Sequence, residues 1–204
     1  MTEKEQQIII AAGEVFMKYG IKSVNMDDVA KNLGVSKKTL YKYFKDKNDL
    51  LGKALAMHLQ TEDMAINLIC AKDHNAIDEM MEIAHYVTSI LQKVHPSIHF
   101  DLEKYHPEAW KEMQTNQHAM VYKCMAGNLE KGIKEGLYRD DLNVDVIAKI
   151  YISKIDVTFD STIFPPKQIS FSEVYREYFR YHIRGIASEK GIIYLKKKVK
   201  EMLK

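Results

Sequence analysis

The sequence predicts an all-α protein. Along most of its 204 residues, apolar side chains recur three or four positions apart, which places them on one face of successive helices. Residues that favour helix N-termini precede several of these segments, and glycine or proline follows some of them. No segment has the convincing apolar–polar alternation of a half-buried strand. We therefore expect helices joined by turns, without a sheet.

The first predicted helix extends from Thr2 to Gly20. Thr2 and Glu5 have the spacing of a capping box, in which each side chain bonds to the other residue's backbone N–H. Gly20 follows the last periodic residue, as is typical of a helix C-terminus. We expect the inward-facing stripe of this helix to consist of Ile9, Ala12, Phe16 and Tyr19.

Residues 25–47 predict two short helices separated by a sharp turn. Asn25 and Asp28 have the spacing of an N-terminal cap, and Ser36 can cap the second helix. Gly34 stands between the helices, where a left-handed end residue favours glycine. This is the layout of a DNA-binding helix-turn-helix, whose second helix enters the major groove. The second helix is expected to bury Leu40 and Phe44.

The second of these helices is strongly basic. Residues 36–47 hold five lysines and one acidic residue. Ammonium and tyrosine hydroxyl groups bind phosphate oxygens, while Thr39 and Lys42 are better candidates for contacting base edges. A solvated basic helix in an ordinary bundle is the alternative explanation for the lysines alone. The predicted DNA-binding residues are Asn25, Ser36, Lys37, Lys38, Thr39, Tyr41, Lys42, Tyr43 and Lys47.

Three motifs follow one another in this region. The first helix carries an apolar pair, two alanines, an apolar–phenylalanine pair and then a glycine, at Ile8, Ile9, Ala11, Ala12, Val15, Phe16 and Gly20. The run Val-Ser-x-x-Thr-Leu-Tyr-x-Tyr-Phe occupies residues 35–44, and the segment from Lys47 to Leu50 comes shortly after it. In these motifs, residues 8–50 resemble the N-terminal domain of the TetR family of bacterial transcriptional repressors.

This resemblance implies a two-part architecture and a function. The expected parts are a three-helix DNA-binding domain at residues 1–46 and a helical effector-binding and dimerisation domain at residues 47–204. A homodimer of such a repressor binds a palindromic operator in double-stranded DNA, and a small-molecule effector, here of unknown identity, releases it. The remainder of the chain resembles the family only in length and helical character.

The body of the chain predicts further helices with short connections. Asp46 and Asp49 can start a long helix that reaches about Ala71. This stretch contains no Gly/Ser-rich or Pro-rich linker. We therefore expect the helix to act as a rigid lever between the DNA-binding domain, or head, and the remaining helices, or body. Later helices are expected at residues 75–94, 97–105, 107–136, 143–161 and 170–188, followed by a short basic tail from Gly191.

A ligand pocket is expected among these body helices. Methionine adapts to irregular apolar shapes, and the body holds several methionines and the single tryptophan of the chain. Ordinary core packing is the alternative explanation for the same residues. The predicted pocket residues are Met64, Leu68, Met81, His85, Phe100, Trp110, Met113 and Met120.

The last two long helices have broad apolar faces that need more than one partner surface. By the resemblance, they pair with the same helices of a second subunit in a four-helix interface. Burial inside one chain is the alternative. The predicted interface residues are Val146, Ile150, Val157, Tyr175, Phe179, His182 and Ile186.

Signals for catalysis or metal binding are weak. His95 and His99 have a spacing seen in metal sites, but Pro96 biases His95 away from helical geometry. Neither a glycine-rich phosphate loop nor a nucleophile elbow occurs in the sequence. We therefore expect no enzyme activity, no metal and no cofactor besides the effector. Two rival functions are a helical protein that binds a small molecule without operator function, and a helical enzyme.

Charge and cysteine content set the remaining expectations. The net charge is +2, yet residues 1–50 carry +2 and residues 190–204 carry +5, which leaves the segment between them acidic. Cys70 and Cys124 lack metal-like spacing and fit a reducing cytoplasm, although two thiols do not exclude a disulfide. The sequence has no signal-peptide pattern and no run of the roughly 20 apolar residues that span a bilayer. We expect a cytoplasmic protein without a membrane partner.

Overall fold

The computed structural model describes residues 1–202, and that part of the chain forms ten α-helices without a β-sheet. The last two residues of the predicted basic tail, 203 and 204, lie outside the described residues. The helices are α1 (Glu3–Tyr19), α2 (Met26–Asn32), α3 (Lys37–Leu40), α4 (Lys47–Cys70), α5 (Ala76–Leu91), α6 (Ile98–Tyr105), α7 (Pro107–Lys134), α8 (Val144–Thr158), α9 (Phe171–Ile186) and α10 (Glu189–Met202). The predicted fold class is confirmed.

The helices form two compact units. The head unit consists of residues 1–64 and 93–117, and the body unit consists of residues 65–92 and the described chain from 118 onward. Helices α4 and α7 each contribute residues to both units. The predicted division at residues 46 and 47 separates functions rather than compact units, and it stays a prediction.

Most helix starts are fixed by side chains that satisfy free backbone N–H groups, which have no partner within their own helix. Thr2 accepts a hydrogen bond from the amide of Glu5 at 3.2 Å. Reciprocal capping boxes open α2, between Asn25 and Asp28, and α9, between Ser170 and Glu173. Asn75 and Asn143 cap α5 and α8. These caps had all been predicted as helix starts, because they depend only on residues two or three positions apart.

The head unit is built around an apolar core that joins α1 to the other head helices. The predicted α1 stripe is buried at three of its four positions, but Tyr19 is 49 % exposed, so its inward placement was wrong. Leu40 and Phe44 are buried as expected. The fully buried or nearly buried members of this core include Ile9, Ala12, Phe16, Val29, Leu40, Phe44, Leu50, Leu51, Ile98 and Leu102.

The body unit packs α9 against both α5 and α8. Its buried side chains include one charged group, Glu79, which accepts hydrogen bonds from Asn128 Nδ2 and Lys131 Nζ, both at 2.7 Å. Tyr138 donates to Asn128 Oδ1 at 2.8 Å, and burial raises the pKa of Tyr138 well above its usual value. These bonds offset the cost of burying a charge and join α5 to α7.

Several local details differ from the expectations. Helix α5 ends at Leu91 instead of about Val94. The loop after α7 forms an antiparallel bridge between Tyr138 and Ala187, a long-range pairing that no local pattern predicts. The basic tail is helical and begins at Glu189 rather than Gly191. In addition, no helix within residues 1–202 is both long and apolar enough to cross a bilayer.

Candidate nucleic-acid interface

The helix-turn-helix is formed by α2, a tight turn and α3. Gly34 adopts φ +64°, the left-handed conformation that glycine tolerates best. The amide of Val35 donates to the carbonyl of Ala30 at 3.0 Å, which closes the turn. The hydroxyl of Ser36 then accepts a hydrogen bond from the amide of Thr39 at 3.1 Å and starts α3. The predicted turn and cap are confirmed in geometry.

Four exposed lysines form the basic face of this motif: Lys37, Lys38, Lys42 and Lys45. Thr39 is half-buried among them, and its hydroxyl lies 2.8 Å from that of Ser36. Tyr41 is exposed, whereas Tyr43 packs against the head core. The basic face therefore presents ammonium groups and one tyrosine hydroxyl to solvent, which is the chemistry that binds phosphate oxygens. Lys45 was not among the predicted residues, although it stands in the same lysine-rich segment.

One lysine of the basic face already has a partner. Lys37 Nζ lies 2.9 Å from Asp27 Oδ2, and this hydrogen bond raises the pKa of Lys37. Lys38, Lys42 and Lys45 form no ion pair with any residue in the described part of the chain. These three ammonium groups are consequently available to an external anion.

Lys47 and Asn25 are placed differently from the other predicted residues. Lys47 is half-buried, and its ammonium donates to the carbonyl of Ile21 and lies 5.9 Å from the centre of the Phe16 ring. Loss of hydration on burial lowers the pKa of Lys47. Asn25 Oδ1 is occupied by the amides of Asp27 and Asp28 in the cap of α2. In this structure both side chains bond within the head unit, and their assignment to DNA binding stays a prediction.

A cavity of about 780 Å³ opens between α5 and α9 in the body unit. We call it the α5–α9 cavity. Met81 and His85, both predicted as pocket residues, line it from α5. Its other lining side chains include apolar groups of Ala84, Ile169, Tyr175 and Phe179 and charged groups of Glu173, Arg176, Glu177 and Arg180.

The other predicted pocket residues do not line this cavity. Met64, Leu68 and Phe100 are exposed, because each lies on the solvent-facing side of its helix. Trp110 and Met113 pack on the head core, and Met120 packs on the body core. These six residues therefore do not form the expected common pocket. Three of them lie at the surface, and the other three pack against one of the two apolar cores.

Helices α8 and α9 each have an exposed face. The α8 stripe consists of Val146, Ile150 and Val157, which are 45 %, 46 % and 43 % exposed. On α9, the predicted residues Tyr175, His182 and Ile186 are buried and Phe179 packs on the body core. Their stripe faces their own chain, so their assignment to a subunit interface is corrected. The exposed face of α9 carries Tyr181 instead, at 77 % exposure.

Comparison with known protein families gives a match within the head unit. Residues 8–54 match the family model described as bacterial regulatory proteins of the tetR family. These residues contain most of α1, both helices of the helix-turn-helix and the start of α4.

The head of this chain is therefore a TetR-family head.

Curated relatives match a stretch of similar length in this chain. The transcriptional activator FasR of Mycolicibacterium smegmatis is 40 % identical over 57 residues, which are 28 % of this chain and 26 % of FasR. The regulator SAB2452 of Staphylococcus aureus is 37 % identical over 59 residues, which are 29 % of this chain and 32 % of that protein. The matches thus span about a quarter to a third of these relatives.

Solved structures extend the comparison to nearly the whole chain. A TetR/AcrR regulator from Thermobifida fusca aligns with a TM-score of 0.66 at 20 % identity, over 90 % of this chain and 98 % of that one. A regulator from Cytophaga hutchinsonii aligns with a TM-score of 0.72 at 16 % identity, over 92 % and 100 % of the two chains. At these identities the alignments establish a shared helical fold.

Proposed function

We propose that this protein is a transcriptional regulator, acting as a repressor, that binds a palindromic operator as a homodimer and leaves it when a small molecule binds the body unit. The observation that carries the proposal is the basic face, displayed by the helix-turn-helix of a TetR-family head. An exposed cluster of cations on this motif matches the phosphate backbone of duplex DNA in charge and position.

The residues of the basic face have separate roles in this proposal. Lys38 and Lys45 neutralise phosphates, and each neutralised phosphate releases counterions and makes affinity depend on salt. Thr39 and Lys42 contact base edges and supply sequence preference. Lys37 orients α3 through its bond to Asp27 and adds a weaker phosphate contact.

The proposed homodimer reads an inverted repeat. Two heads placed in successive major grooves lie about 34–36 Å apart, one turn of DNA. The α8 stripe supports association, because three exposed apolar side chains on one helix are a surface that a second copy can cover. Tyr181 on the neighbouring helix adds an aromatic group of the kind enriched in interfaces.

The α5–α9 cavity is the proposed effector site. Its mixture of apolar and charged lining suits a small molecule with an apolar body and a polar end. A structural neighbour from Saccharomonospora viridis, 16 % identical to this chain, was determined in complex with the small molecule choline. The effector weakens operator binding only if it binds better to the form of the protein that does not hold DNA.

Selection from a random duplex pool tests the proposal. The purified protein is used to enrich bound sequences at two salt concentrations, beside a Lys38→Ala/Lys42→Ala variant. We expect an inverted repeat to be enriched by the unaltered protein and lost with the variant. Absence of any enriched sequence, with the variant binding as well as the unaltered protein, would favour a small-molecule-binding protein without operator function.

A further inference from the structure

One peptide group in the turn between α1 and α2 is held at both of its polar ends. The carbonyl of Ile21 accepts a hydrogen bond from Lys47 Nζ, at the first residue of α4. The N–H of Lys22, on the other side of the same peptide bond, donates to Asp101 Oδ2 of α6 at 2.9 Å. Helices α4 and α6 therefore each form a hydrogen bond to the same peptide group, one at its carbonyl and one at its N–H. All of these residues belong to the head unit.

The two side chains that hold this peptide are shielded from water to different degrees, since Lys47 is half-buried and Asp101 is buried. Asp101 is only 4 % exposed, and its Oδ2 also accepts a hydrogen bond from the hydroxyl of Ser97 at 3.1 Å. Loss of hydration lowers the pKa of Lys47, while the charges of Asp101 and Asp28 act in the opposite direction. Burying two opposite charges is costly unless each is paired and hydrogen-bonded. Here each charge has a peptide atom as its partner and the other charge nearby.

Further contacts attach residues 95–105, here called the α6 segment, to the end of α1 and to the same turn. The amide of His95 donates to the carbonyl of Met17 at 2.8 Å, and Lys22 Nζ donates to the hydroxyl of Tyr105 at 2.9 Å. Gly20 has φ +84°, and a Cβ at this position would lie 2.7 Å from Ser97 Oγ. The α6 segment thus approaches the backbone of the turn as closely as an unsubstituted glycine permits.

We propose that Lys47 and Asp101 are positioning residues for operator binding: they clamp the Ile21–Lys22 peptide and so fix the helix-turn-helix that begins four residues later. In this role Lys47 does not bind a DNA phosphate. Through this clamp both α4 and α6 bond to the turn that leads into α2. A displacement of either helix would therefore move this peptide group and, with it, the basic face. The role in operator binding rests on the proposed function, whereas the clamp itself does not.

Salt dependence separates positioning from phosphate contact. A lysine that binds a phosphate lowers the slope of log affinity against log salt by about one when it is removed. A positioning lysine lowers affinity at every salt concentration and leaves that slope unchanged. We therefore compare Lys47→Met, which keeps the packing on Phe16 but has no ammonium, with Lys45→Met, which removes an exposed lysine two positions away.

The expected results for these variants are distinct. Lys47→Met should weaken operator binding about tenfold or more, because it leaves a buried carbonyl without its donor, with the slope retained. Lys45→Met should reduce the slope. Asp101→Leu should also weaken binding at constant slope, and Asp101→Asn, which keeps an acceptor oxygen, should recover most of the loss. Since both residues act on one peptide, the double variant Lys47→Met/Asp101→Leu should lose less than the product of the two single losses.

A second measurement needs no DNA. Hydrogen exchange at the Lys22 amide should speed up at least tenfold in Asp101→Leu and much less in Asp101→Asn, while amides in the body unit keep their exchange rates. The same body amides report whether each variant is folded. Unchanged exchange at Lys22 in Asp101→Leu, or a slope lost in Lys47→Met as in Lys45→Met, would overturn the clamp. If the unaltered protein binds no operator, the proposed function fails and the exchange rates alone decide the clamp.

Discussion

The ammonium of Lys37 lies 2.9 Å from the carboxylate of Asp27, and this ion pair joins the first residue of α3 to the first turn of α2. Both side chains are half exposed, so the pair contributes little to stability but restricts where Lys37 points. It also pairs one of the four positive charges of the basic face with a negative charge. The pair is thus a local restraint on how strongly the head attracts DNA of any sequence.

Release of this restraint is expected to strengthen non-specific DNA binding. In Asp27→Asn, Lys37 loses its ionic partner and becomes free to neutralise a phosphate, so affinity for random duplex should rise and its salt slope should steepen. Fluorescence anisotropy over a salt series measures both. Asp63→Asn is the matched control, because it removes an exposed charge elsewhere in the head unit. An equal rise in both variants would assign the effect to net charge alone.

Lysines of the basic face are expected to divide between affinity and sequence preference. Lys38→Ala should weaken binding to all duplexes alike and reduce the salt slope by about one. Thr39→Val or Lys42→Gln should instead change which sequences are enriched, since these residues are proposed to contact base edges. Enrichment from the random pool, repeated with each variant, distinguishes the two. A uniform loss with Thr39→Val and Lys42→Gln would contradict their role in base contact.

A charge placed in the α8 stripe is expected to prevent dimer formation. Ile150→Glu puts a carboxylate at the middle of the proposed contact, where burial would strip its hydration. Analytical ultracentrifugation should show a dimer for the unaltered protein and a monomer for the variant. Ile193→Glu, at an exposed isoleucine of α10, should remain dimeric. If Ile193→Glu dissociates and Ile150→Glu does not, the contact lies on α10.

Two histidines, the buried His182 and the half-buried His99, are expected to make the fold sensitive to acid. Burial lowers the pKa of both His99 and His182 to about 4, from an ordinary value of 6.5. The unfolded chain therefore takes up protons that the folded chain refuses, and stability falls as pH drops from about 6.5 towards 4. Each shift corresponds to a loss on the order of 3 kcal/mol across that window.

Thermal unfolding at several pH values between 7.5 and 4.5 measures this loss. His182 is 8 % exposed, its Nε2 has no hydrogen-bond partner among residues 1–202, and its ring lies 4.6 Å from that of Tyr151. His182→Phe should therefore keep the aromatic packing and flatten the pH dependence. His85→Phe, at an exposed histidine, should leave the dependence unchanged. A His182→Phe profile as steep as that of the unaltered protein would remove His182 as a cause.

The helix-turn-helix was predictable because its determinants are local. Asn25, Gly34 and Ser36 act on backbone groups within a few residues, so their roles follow from spacing. The orientation of Lys47 was not predictable, since its acceptor is 26 residues away, and the bond between Lys22 and Asp101 spans 79 residues. Long-range partners of this kind leave no periodic signal in a single sequence.

The assignment of apolar stripes met the same limit. Periodicity correctly predicted that α8 and α9 are amphipathic helices, but it does not specify which surface covers each stripe. On α9 the stripe with Tyr175 and His182 faces its own chain, whereas on α8 the stripe with Ile150 is exposed. Similarly, Met81 and His85 line the α5–α9 cavity, while Met64 and Leu68 are surface residues, and no difference in their sequence spacing separates the two pairs.

The discontinuous head unit has a consequence for protein engineering. A fragment cut after residue 46 would lack Leu50, Leu51, Ile98 and Leu102, which are all buried in the head core. Such a fragment would expose the apolar side chains that these residues cover, and it would tend to aggregate. A chimaera that transplants this DNA-reading module onto another sensor must therefore carry residues 93–117 as well as 1–64, so operator choice and sensing cannot be recombined at a single crossover point.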